Sequence, residues 1–200
     1  EEINVLLSFT QSVDDDNYKI FIANKAAITE FLPEKNYTQF NNYLKLMKIV
    51  SEATDDKTKT IDDAKVLKKG EGLFPKDELT KSLSVYKLNY YSAHDNFPAY
   101  EKTALEHYKN PEEFNSSELL AAASTIGEKS SDPKSLQIAA RWAEKVVMSS
   151  ENYDSTSILA TLYDKLGKKE EAKMFAGMAA KFAKEENRDA AKMMEILNNK

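Results

Sequence analysis

Cysteine is absent from this 200-residue chain. That excludes disulfides, thiol catalysis and cysteine metal ligation, but leaves the compartment open. Histidine is almost absent. His94 and His107 lack a metal-binding partner at helical spacing, and no His-Glu-x-x-His occurs, so both read as structural. Excess positive charge is missing as well. Twenty-eight basic residues face 33 acidic ones, a net charge of −5, which argues against generic nucleic-acid binding. No apolar run is long enough to cross a membrane. A Gly-x-Ser-x-Gly elbow, a phosphate loop and a dinucleotide fingerprint are all missing, so no catalytic, cofactor-binding or metal site is expected. The chain begins at Glu1 with neither methionine nor a secretory leader, and is read as a trimmed or processed piece of a longer protein.

Five glycines and five prolines are few breakers for this length. Alanine, leucine, lysine and glutamate, all good helix formers, are abundant. Apolar residues recur at 3- and 4-residue spacing rather than alternating. The expectation is an all-α protein of about 10–11 helices, paired as antiparallel hairpins.

In chain order, helices are expected over 1–13, 16–31, 34–53, 60–70 and 76–95. Ile3, Leu6 and Leu7 face inward in the first of these. Tyr18, Phe21, Ile22, Ala26, Ile28 and Phe31 do so in the second. Residues 18–22 could also make a short strand by β-propensity. Asp14-Asp15-Asp16-Asn17 lacks the glycine and distal glutamate of a calcium loop, so it reads as a solvated loop that caps the next helix. In the third helix Tyr37, Phe40, Tyr43, Leu44, Met47 and Val50 form a strong stripe. Thr60 looks like a helix start. Gly70-Glu71-Gly72 with Pro75 is the clearest break, and divides an N-terminal helical layer (1–72) from a repeat region (73–200).

Beyond it come pairs: Leu79 to Tyr91 with Ala99 to Tyr108, then Leu119 to Ile126 with Leu136 to Val147. Asn115 with Glu118 forms a capping-box variant and Asp132-Pro133 a helix start. Trp142 reads as core. Carboxylate pairs such as Asp62-Asp63, Glu112-Glu113 and Glu170-Glu171 belong in first turns, where the helix dipole favours acids. A terminal helix from Arg188 carries Ala191, Met194 and Leu197 as a cap.

The clearest stretch is 153–187. Ile158, Leu159, Leu162, Tyr163 and Leu166 make one stripe, Gly167 turns the chain, and Ala172, Phe175, Ala176, Ala179, Phe182 and Ala183 make a second. Leu159, Ala160, Tyr163, Gly167, Ala172 and Ala179 fall at the signature positions of a tetratricopeptide repeat, which the stretch resembles. Ala176 and Lys184 depart from it, standing where an aromatic and a proline are common. Ala139 and Ala172 are 33 residues apart and Ala99 and Ala139 are 40 apart, so the implied right-handed superhelix is irregular. Residues 136–187, with Trp142-Ala-Glu-Lys, Glu151-Asn-Tyr-Asp-Ser-Thr and Leu162-Tyr-Asp-Lys-Leu-Gly, also resemble the helical region downstream of thioredoxin-like domains in exported bacterial proteins.

These resemblances imply a non-enzymatic module for protein–protein contact in a periplasmic or otherwise exported setting. The implied partner is a protein or peptide, including a thioredoxin-like domain upstream in the same chain. On the repeat register, Asp154, Ser157, Thr161, Asp164 and Lys165 lie on the concave, partner-binding face. Two readings stay open beside this one. One is the accessory domain of a thioredoxin-like oxidoreductase, whose redox site would lie outside this chain. The other is a glycan- or nutrient-binding helical protein, suggested by the plentiful aromatics.

Overall fold

A computed structural model describes residues 2–199. Twelve α-helices and one two-stranded ribbon are present among them. The chain divides into two compact units, the first ending at Asn96 and the second beginning at Phe97.

The first unit opens with α1 (Glu2–Phe9), α2 (Asp16–Ala23) and α3 (Lys25–Thr29). The first helix stops at Phe9, not 13, because Asp15 organises the turn after it. Its carboxylate accepts from the amides of Gln11 and Ser12, both at 2.8 Å. The expected cap therefore points backward: Asp15 sits at the N-cap position of α2 but makes no side-chain bond to that helix. Residues 18–22 are helical, not extended. The expected single helix over 16–31 breaks at Asn24, whose side-chain amide donates to the Ile20 carbonyl at 2.8 Å. The break turns Ile22 and Phe31 outward, and Phe31 is 77% exposed.

The long helix α4 (Glu34–Ala53) follows. Next comes a ribbon of β1 (Thr54–Asp55) and β2 (Thr60–Ile61), with Thr54 opposite Ile61. Thr60 is thus a strand residue, not a helix start. Asp55 closes the ribbon turn by accepting from the amides of Lys57 and Thr58. Helix α5 (Asp63–Lys69) begins two residues later, capped by Asp62 through the Lys65 amide at 3.0 Å.

The glycine-rich break falls inside this unit. A Cβ on Gly70 would lie 3.0 Å from the Val66 carbonyl and 3.1 Å from Leu79, so a side chain here would crowd both neighbours. Gly72 adopts a left-handed φ of 84°. The loop is tied down by Asn42, whose side chain donates to the Leu73 carbonyl at 2.6 Å. Helix α6 (Lys76–Ala93) completes the unit. Helices α4 and α6 each pack on α5.

The second unit contains α7 (Phe97–His107), a 3-10 turn at Pro111–Glu113, α8 (Ser116–Lys129), α9 (Pro133–Ser149), α10 (Tyr153–Lys165), α11 (Lys169–Glu186) and α12 (Ala191–Asn198). The Glu112–Glu113 pair lies in a first turn as expected, although that turn is a 3-10 helix and not an α-helix. Helix α8 packs on α9, α9 on α10 and α10 on α11, while α8 also meets α10. Several starts are built as the residues suggest. Asn115 and Glu118 form a complete capping box, and Asp132 accepts from the Ser135 amide and hydroxyl. Gly167 takes φ 71° between α10 and α11.

Four alanines of α11 (172, 176, 179 and 183) are at most 1% exposed. A stripe without bulk lets α10 and α11 approach closely. The terminal helix presents a different face from the expected one. Met193 and Ile196 are buried, whereas Met194 is 49% exposed.

Tyr108 is buried against Trp142 and Phe114 in edge-to-face contacts at 5.5 and 4.8 Å. Burial pushes its hydroxyl up to about 12 from the usual 10. A group whose pKa is raised on folding supports stability fully below its unfolded value, and that support is lost as pH rises through the folded value. Its contribution should therefore disappear between pH 10 and about 12. Urea midpoints measured across that window should fall more steeply in the parent than in Tyr108→Phe. Identical slopes would show that Tyr108 ionises freely.

Candidate functional site

Three of the five predicted residues meet in one place. Asp154, Ser157 and Thr161 of α10 line a cleft of about 260 Å³ together with Ser124, Gly127 and Glu128 of α8 and Lys192 and Met193 of α12. Asp154, Ser157 and Thr161 share a face because they follow one another at 3- and 4-residue steps. Asp164 and Lys165, further along, do not line this cleft. The Lys165 ammonium instead donates to the carbonyls of Glu128 and Ser130, at 3.1 and 3.2 Å. It thereby satisfies orphan carbonyls at the end of α8. Asp164 is half-buried on α10.

Close approach of α8 and α10 sets the depth of the cleft. A Cβ on Gly127 would stand 3.2 Å from Leu162, so glycine here lets the two helices nearly touch at the cleft floor. The α8 residues escaped the sequence reading, although a signal for them existed. The 33-residue offset that relates Ala139 to Ala172 also relates Ser124 to Ser157, Gly127 to Ala160 and Glu128 to Thr161. Lys192 had no such signal, because its place beside α10 follows only from the packing of α12 on α10 and α11.

Arg188 contacts two of the lining residues, Tyr153 and Asp154. Its guanidinium lies 3.9 Å from the centre of the Tyr153 ring and donates to Asp154 at 2.6 Å. The Tyr153 hydroxyl donates to the Asp189 carbonyl at 2.8 Å. The ion pair is more than a third exposed on both sides, so its worth lies in shaping the turn after α11 more than in energy. The remaining polar groups are largely committed. Ser124 donates to Glu128, Ser157 to the Asp154 carbonyl and Thr161 to the Ser157 carbonyl. Such a surface can accept hydrogen bonds from a peptide.

Both histidines are held by neighbours. The His94 Nδ1 is 2.8 Å from the Tyr90 carbonyl, and the His107 ring packs against Tyr108 and Phe114. Among the described residues no group of three or more His, Asp or Glu could hold a metal ion, and no helix is long and apolar enough to cross a membrane. Comparison with known proteins finds no matching family, no similar curated protein and no similar solved structure.

Proposed function

We propose that the second unit is a tetratricopeptide-like stack of helical pairs that binds a protein segment in the α8–α10–α12 cleft. The observation that carries this reading is the lining of the cleft. It is formed mainly by the first helices of two successive pairs, α8 and α10, with Ser124 and Ser157, and Glu128 and Thr161, at matching 33-residue offsets, and α12 adds Lys192 and Met193. Stacked helical pairs bind through the face formed by their first helices. The packing order supports the same reading, since each helix meets the next and α8 also meets α10. No catalytic role is assigned to this chain. Because residues 136–187 resemble the helical region of exported thioredoxin-like proteins, a thioredoxin-like domain is the first partner to test.

The test is selection of peptides from a random displayed library against the full chain. Enriched peptides should bind the parent and lose about tenfold in affinity, or more, to Thr161→Arg or Ser157→Arg, because a central contact residue is commonly worth above 1 kcal/mol. Both side chains are half-buried at the cleft, so arginine there fills it. Peptides that bind parent and both variants equally, or a failure to enrich any, would remove the cleft from function.

A further inference from the structure

The first unit holds a larger and differently furnished groove. It runs between α4 and α6, has a volume of about 510 Å³, and is of the size that small-molecule sites commonly have. On the α6 side it extends from Glu78 to Asn89, which at 1.5 Å per residue is roughly 16 Å. Leu46, Met47, Phe74 and Val85 make an apolar floor, and the rings of Tyr43 and Tyr86 stand on the flanks. Tyr43 is 52% exposed. Its ring therefore owes little of its position to internal packing.

The polar groups here differ from those of the second-unit cleft. The side chains of Gln39, Ser82 and Asn89 and the hydroxyls of Tyr43 and Tyr86 line the groove, and none hydrogen-bonds to another described residue. Five neutral polar groups thus border apolar surface, and Gln39, Tyr43, Ser82 and Asn89 are exposed to solvent, so an occupant that covers them must replace their hydrogen bonds to water. The formal charges on the rim, Glu78 and Lys81, are one of each sign, so no net field draws an anion or a cation. An occupant must pack apolar surface on the floor and rings, and also offer several neutral donors and acceptors. A partner helix meets the first demand but not the second. Its backbone groups are already bonded internally, so only its side chains could pair with the amides and hydroxyls of the groove, and each group left without such a partner would be buried unpaired at a cost. A pyranose meets both. Its C–H faces pack on aromatic rings while its hydroxyls pair with amides, phenols and serine.

We propose that the α4–α6 groove is a binding site for a neutral oligosaccharide, with Tyr43 and Tyr86 as stacking residues and Gln39, Ser82 and Asn89 as hydroxyl partners. This site lies wholly within the first unit and does not depend on the peptide-binding reading of the second.

The experiment is calorimetric titration of the full chain with maltohexaose, cellohexaose, mannohexaose and chitohexaose, with hexagalacturonate as the acidic counterpart. At least one neutral sugar should bind saturably. Tyr43→Ala should weaken it about tenfold, as should the Gln39→Ala/Asn89→Ala pair, on the scale of other central contact residues. Thr161→Arg should leave it unchanged. Tyr43, Gln39 and Asn89 are exposed, and unchanged far-UV circular dichroism will show that these variants fold. The proposal is overturned if no neutral sugar binds, if hexagalacturonate binds as tightly, or if both sets of variants retain parental affinity. Mapping of the selected peptides to Tyr43 instead of Thr161 would also overturn it.

Discussion

Replacing Trp142 by alanine is expected to destabilise the second unit by about 3–5 kcal/mol, the range for losing a large buried aromatic. Trp142 is 2% exposed on α9 and meets the Tyr108 ring edge-on at 5.5 Å. Its neighbours on α9, Ala139, Ala140 and Ala143, are themselves small and buried. Such short side chains cannot extend into the space an indole leaves, so the cavity persists and its cost adds to the lost transfer energy. For a unit of this size the melting midpoint should drop by upwards of about 10 °C. Far-UV circular dichroism during urea titration is the suitable readout, since Trp142 is the only tryptophan and fluorescence is lost with it. Met148→Ala, at a position 89% exposed on the same helix, should change stability by less than about 0.5 kcal/mol. A Trp142→Ala loss as small as that of Met148→Ala would mean that α9 does not pack as described.

Phe21→Ala should cost the first unit a similar amount, about 3–5 kcal/mol. Phe21 is fully buried, stacks on Tyr37 at 4.4 Å and meets Phe40 edge-on at 5.4 Å. Helix α1 depends on this cluster. None of its helical residues is fully buried, and Ile3, Leu6 and Leu7 reach the core only by leaning on Phe21, Ile28 and Tyr37. Truncation should therefore release α1 first. Amide hydrogen exchange over residues 2–9 should quicken before exchange in α4 does. Phe31→Ala is the matched control, because Phe31 is 77% exposed and its loss should be nearly neutral. Unchanged protection of α1 in Phe21→Ala would show that another contact holds it.

The pair Phe21 and Phe31 shows where sequence reasoning reaches its limit. Both sit on a plausible inward stripe of one long helix. The stripe is cut at Asn24, which bonds to the Ile20 carbonyl and leaves helical geometry at φ −104°, ψ 24° between α2 and α3. A single polar side chain at a helix end carries too little pattern to be read in advance, since asparagine serves caps, turns and exposed faces alike. Thr60 is similar. Its pairing across the ribbon depends on the turn that Asp55 closes, not on any local propensity for a strand. In α12 the expected face was displaced from Met194 to Met193 and Ile196, because a short helix with apolar residues on several sides takes its orientation from what it packs on.

That Asp154, Ser157 and Thr161 share one face of α10 was legible, because a helix face follows from 3- and 4-residue spacing alone. Lys165 was not separable from them by spacing, and only the nearby end of α8 draws it away to the Glu128 and Ser130 carbonyls. Lys192 and the α4–α6 groove were beyond reach, since each needs residues brought together from distant stretches.

By itself the sequence determined the all-helical class, the hairpin at 153–187 with its Gly167 turn, and the capped starts at Asn115 and Asp132. These depend on periodicity, on backbone freedom and on bonds between residues a few positions apart. Tertiary structure alone decided that the chain divides after Asn96, that the glycine-rich stretch at 70–75 is a tight turn inside the first unit, and which polar side chains are spent on internal bonds. Those outcomes depend on close approaches between residues far apart in the chain, such as Gly127 with Leu162 and Asn42 with Leu73, and no local pattern records them.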